Sequence, residues 1–132
     1  MSDGSAAFRT WEGRDAFEIH PGVRLHAIGG EQVLLCRVTY EPGTGVPLHS
    51  HEHTEQVMVI VDGEVAMTVE GETRTLRAGD VAVVNRGREH ELHSEGGVTF
   101  FEALAPVPLD HVGDREQDLV LGADGGRTHV PR

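Results

Sequence analysis

Short apolar runs broken by glycine dominate this chain, and no stretch keeps a helical period over three turns. Strand-like segments recur instead, over residues 23–28, 32–40, 56–61, 64–69, 73–76, 81–84, 90–93 and 98–104. Turn signals separate them: Gly29-Gly30, Asp62-Gly63, Glu70-Gly71, Ala78-Gly79-Asp80 and Gly96-Gly97. Many short strands at close spacing predict an all-β antiparallel sandwich or barrel. Asp62-Gly63, between two apolar runs, carries a hairpin signal of its own. Around it the patterns differ. Residues 64–70 and 73–77 partly alternate apolar with polar, as on strands with one wet face, whereas Val57-Met58-Val59-Ile60-Val61 is apolar on both faces.

Composition narrows the class. At 132 residues the chain is long enough for one core and not for two. A formal charge of −11 argues against nucleic acid and anionic membrane surfaces as partners, because like charges repel. The longest apolar run, 57–61, is far too short to span a bilayer. The first residues show no basic-then-apolar signal pattern, and the lone Cys36 has no internal disulfide partner. A reducing cytoplasm is therefore the expected compartment, with Cys36 as a buried, inert thiol.

Two stretches hold the chemistry. The first runs from Gly43 through His49, His51 and Gln56 to Gly63; the second runs from Gly79 through Asn85 and Gly87 to His90. Residues two apart on a strand project to one side, so His49 and His51 can face the same ion. Imidazole nitrogen is a common ligand for zinc, iron, nickel and copper. Any one of the nine histidines is more often a surface or structural residue; the joint spacing lifts His49, His51 and His90 above that background. His20, His26, His93, His111 and His129 have no such spacing and are assigned surface or structural roles. No glycine-rich phosphate loop is present, which argues against a bound nucleotide.

The spacing resembles the two motifs of small single-domain cupins, G-x5-H-x-H-x3,4-E-x6-G and G-x5-P-x-G-x2-H-x3-N. Gly43, His49, His51, Gly63, Gly79, Gly87 and His90 fall in register. Gln56 stands in the glutamate slot, Asn85 in the proline slot and Ser94 in the final asparagine slot. Starting the first motif at Gly45 would require a carboxylate at Val57 or Met58, so that register fails. The resemblance implies a cupin jelly-roll barrel over 21–105, an N-terminal packing segment over 1–20 and a C-terminal extension over 106–132. Phe8, Trp11, Phe17 and Ile19 would pack the first segment; Asp118-Leu119-Val120-Leu121 would supply the extension with an added strand.

It also implies one divalent transition metal held by His49, His51, Gln56 and His90, with zinc ahead of nickel, iron and manganese. Gln56 tilts the chemistry. Three neutral imidazoles and an amide leave the ion's double charge intact, which favours carbonyl or enolate polarisation over dioxygen activation. The Gln-bearing pattern is similar to that of bacterial aromatic-polyketide cyclases and of pectin-pathway cupins that ketonise unsaturated uronates. Metal-dependent cyclisation or isomerisation of a small carbonyl compound is thus expected. The alternatives are uronate ketonisation, an iron dioxygenase and a binding protein without turnover. His53, Glu102 and Tyr40 are candidate proton-transfer residues, with Glu55 behind them; burial of Glu102 among apolar neighbours would raise its pKa. If Gln56 points inward, Met58 and Ile60 follow it, and Val57, Val59 and Val61 face outward. A second sheet or a second subunit must then cover those valines, and a homodimer is expected.

Overall fold

A computed structural model of the protein describes residues 7–12, 16–108 and 129–130. The strands are β1 (Phe17–His20), β2 (Val23–Gly29), β3 (Leu34–Tyr40), β4 (Thr44–His49), β5 (Glu55–Val69), β6 (Glu72–Arg77), β7 (Val81–Val84), β8 (His90–Ser94), β9 (Val98–Ala105), β10 (Val107–Pro108) and β11 (His129–Val130). No helix occurs among the described residues. Strands β1 to β9 form one hydrogen-bonded antiparallel system that β5 folds into two layers. Its first half pairs with β9 and β7, extending the layer β1-β2-β3-β9. Its second half pairs with β8 and β6, and β8 pairs with β4. The result is a jelly-roll barrel.

The Asp62-Gly63 signal is not a hairpin. Both residues lie inside the continuous β5, where the pairing with β9 slips between Ile60 and Asp62. Two residues on β5 there match one on β9, which is a bulge with Val61 as the extra residue. Gly63 has φ +78, and a Cβ on it would collide with the Gly97 carbonyl of the adjoining strand end. Glycine is thus needed where β5 bends from one layer into the other. The bulge reverses the parity of burial. Before it, Gln56, Met58 and Ile60 face inward (4%, 1% and 1% exposed); after it, Val65 and Met67 do. The hairpin itself is at Glu70-Gly71, both left-handed (φ 47 and 83), as a two-residue type I′ turn requires.

The core lies between the layers, where Leu25, Leu34, Cys36, Val38, Phe100 and Leu104 from β2, β3 and β9 meet Val65, Met67 and Leu92 from β5 and β8. Val57, Val59 and Val61 face outward as the register predicts. The second layer does not cover them: they are 40%, 37% and 47% exposed, and their neighbours Val81 and Val83 on β7 are exposed too. Farther along the same face, Trp11 packs on His26 and Phe101, with the Arg37 guanidinium over its ring at 5.5 Å. The expected apolar patch 118–121 lies outside the described residues.

Candidate metal centre

His49 reaches the barrel interior because β4 is irregular. Against β8, Val46 pairs with Leu92 and His49 with His90, so three steps on β4 match two on β8. Pro47 sits in this bulge, the one strand-interior setting that tolerates a residue without an N–H. Strict alternation from the buried Val46 would turn Leu48 inward and His49 outward. The bulge does the reverse: Leu48 is 55% exposed and His49 stands opposite the fully buried His90. His51 lies beyond the end of β4, so strand alternation alone does not bring the pair together. The carbonyl of His51 accepts the Gly87 N–H at 2.8 Å, which ties this loop to the β7–β8 loop that leads into His90.

The three rings converge. Their centroids are 4.1 Å (His49–His90), 5.1 Å (His49–His51) and 5.4 Å (His51–His90) apart. One ring nitrogen from each lies within 4.8 Å of the others. Two metal–nitrogen bonds of about 2.1 Å each span nearly this distance, so the donor set fits one first-row divalent ion. The tautomers fit as well. His49 Nδ1 lies 2.7 Å from the Pro47 carbonyl and His90 Nδ1 lies 3.0 Å from the Arg88 carbonyl. A carbonyl only accepts, so both Nδ1 atoms carry the proton, and in the neutral ring this leaves each Nε2 lone pair for a metal. Gln56 lines the same cavity, and its Nε2 donates to Met58 Sδ at 3.5 Å, leaving Oε1 as its donor atom toward a cation.

The cavity measures about 250 Å³. Tyr40 and Glu102 line it together with His49, His51, Gln56 and His90, and both are buried, at 3% and 5% exposure. Glu102 sits on β9 between Cys36 of β3 and Met58 of β5, an inward position on both sides. Burial, and then the nearby Glu102 carboxylate, push the Tyr40 hydroxyl far above its ordinary range, so it stays a neutral phenol. His53 is exposed and does not line the cavity, and Glu55 also faces out. His53, a proton-transfer candidate from the sequence, is therefore set apart from the cavity, because the loop after His51 turns it to solvent. His20, assigned from sequence to a surface or structural role, lines the cavity on β1 beside Phe17, Glu18 and Ile19. No sequence spacing marks it.

The sequence matches the family model described as "Cupin domain" over residues 36–103. The oxalate-binding protein of Thermotoga maritima is 29% identical over 97 residues, covering 74% of this chain and 79% of that protein. The tetracenomycin polyketide synthase protein TcmJ of Streptomyces glaucescens is 27% identical over 92 residues, covering 65% of this chain and 62% of that protein. The chain spans about half, 55%, of a rice germin-like protein to which it is 29% identical over 119 residues. Among solved structures, KdgF from Halomonas sp. superposes with a TM-score of 0.75 at 22% identity, covering 82% of this chain and all of that one, a likeness of fold.

Proposed function

This chain belongs to the cupin family, and on that premise we propose a metal-dependent enzyme of the cyclase or isomerase type, acting on an oxygen-rich carbonyl compound of polyketide character. The observation that carries the reading is the convergence of three histidines, an amide, a neutral phenol and one buried carboxylate on a single cavity. Its similarity to the tetracenomycin polyketide synthase protein supports the substrate class. His49, His51, His90 and Gln56 would hold the ion, zinc ahead of nickel, iron or manganese, since neutral nitrogen donors suit it. When bound, that ion supplies a positive charge on which a carbonyl or enolate oxygen is stabilised.

The remaining chemistry belongs to the chain. Glu102, buried in the cavity wall, would take a proton from carbon and return it. Tyr40, held as a phenol, donates a hydrogen bond to an oxygen on which charge develops. The apolar walls, Val38, Val46, Leu92 and Phe100, keep bulk water from competing for those bonds. Outside the barrel, a second copy of the chain covers the outward valines of β5.

Zinc-loaded protein incubated without dioxygen in deuterated water decides the reaction class. Deuterium should enter the carbon alpha to the carbonyl of an ortho-hydroxyaryl diketone faster than in protein stripped of metal. A reaction that appears only with iron and consumes dioxygen would show an oxygenase instead. The similarity to an oxalate-binding protein favours a second reading, capture of a small oxyacid without turnover. Oxalate affinity together with no exchange at carbon would select it.

A further inference from the structure

His20 reaches the cavity by the same device that turns His49 inward. On β1, Phe17 pairs with Leu25 and Glu18 with Arg24, but the next pair is His20 with Val23. Leu25 and Val23 are fully buried and point into the barrel, while Arg24 faces solvent. In regular pairing Ile19 would stand opposite Val23 and His20 would fall beyond the strand pair. The one-residue bulge moves His20 into the inward register, and bulges commonly re-aim a side chain beside an active site. The connection explains the bulge. Pro21-Gly22, with Gly22 at φ +79, matches a type II turn, whose twist splays a hairpin. The turn is also fixed from outside: the Gly22 carbonyl accepts the Glu41 N–H at 2.8 Å, and a Cβ on Gly22 would collide with Thr44. It therefore holds the rim in place.

We propose that His20 is a specificity-determining residue. It would hydrogen-bond a second oxygen of the ligand, remote from the oxygen held at the three-histidine cluster. The cavity wall supports this. Among the described residues, apart from the cluster with Gln56, and from Tyr40 and Glu102, the polar side chains that line it are His20 and Glu18 of β1. Glu18 is exposed, and its Oε2 already accepts the Gly22 N–H at 3.4 Å, whereas His20 is half-buried. Imidazole both donates and accepts, so it suits a phenol or a ring carbonyl equally. The ligand class that follows is a compound with a second oxygen besides the one held at the cluster.

This inference rests on the reading that the cluster holds a ligand carbonyl, and its test separates the two. Zinc-loaded protein is titrated calorimetrically with ortho-hydroxyacetophenone and with its para-hydroxylated analogue, which adds a remote hydroxyl. Wild-type protein should bind the analogue about tenfold more tightly, the scale of one net hydrogen bond. His20→Phe should abolish that preference while metal content and affinity for the parent compound stay unchanged, and His20→Gln should restore part of it. Imidazole-nitrogen NMR should show the His20 signals moving with the analogue and not with the parent. A preference that survives in His20→Phe, or equal loss of affinity for both probes, overturns the role of His20. Failure of both probes to bind wild-type protein overturns the carbonyl reading, and the inference with it.

Discussion

At the residue scale, the four proposed ligands do not contribute equally. His49, His51 and His90 each offer a strong neutral nitrogen, and two of them are oriented by Nδ1–H bonds to carbonyls. Replacing any one by alanine should remove most of the metal after dialysis, as elemental analysis would show. Gln56→Ala should cost less, because an amide is a weak donor and water can take its place; equal loss would put Gln56 on a par with the histidines. Gln56→Glu should retain the metal and slow carbonyl-type turnover, since a carboxylate cancels one unit of the ion's charge. The buried Glu102 acts differently. Glu102→Gln keeps its shape and should leave metal content intact while lowering turnover about 100-fold or more, the scale of general acid–base catalysis. Unchanged turnover in Glu102→Gln and Tyr40→Phe would place proton transfer elsewhere in the cavity.

At the element scale, most of the longer strands were legible, whereas β1, β4, β10, β11 and the bulges were not. Most predicted strands match observed ones within two residues, because alternation and glycine turns report local structure. The metal motif was legible because its spacing survives whatever the strands do. The irregularities were hidden because strand pairing fixes them: β8, distant in sequence, sets the bulge in β4 and β9 the one in β5, while the two-residue turn into β2 sets the one in β1. Asp62-Gly63 reads as a turn because a left-handed glycine serves a turn and a bulged bend equally well. Only the pairing with β9 distinguishes them. Gly63→Ala should thus destabilise the protein by about 1–3 kcal/mol, combining a strained φ with the collision against Gly97. The urea midpoint should fall without a change in slope. A variant as stable as wild type would mean that β5 bends without help from this glycine.

At the scale of the whole molecule, charge and apolar surface set the terms of assembly. A formal charge of −11 makes two copies repel over most approaches. The outer face of the β3-β9-β5-β7 layer is the exception, because Leu35, Ala103, Val57 and Val83 run across it in one row, with Phe101, Val59 and Val81 in the next beside Arg37 at the β3 end. Trp11 shields the β2 side and leaves the valines exposed. The proposed second copy would bring the same largely apolar patch about a two-fold axis, valines against valines. Light scattering at micromolar concentration should then give about twice the 14.3 kDa mass of one chain. Added salt should tighten the dimer, since it screens the flanking repulsion and strengthens apolar burial. Val59→Asp would set two carboxylates inside the interface, so it should yield monomers whose circular dichroism stays that of a β protein. A wild-type mass near that of a single chain removes the dimer. A Val59→Asp protein that unfolds where Val81→Asp merely dissociates would show that Val59 also supports the sheet of its own chain.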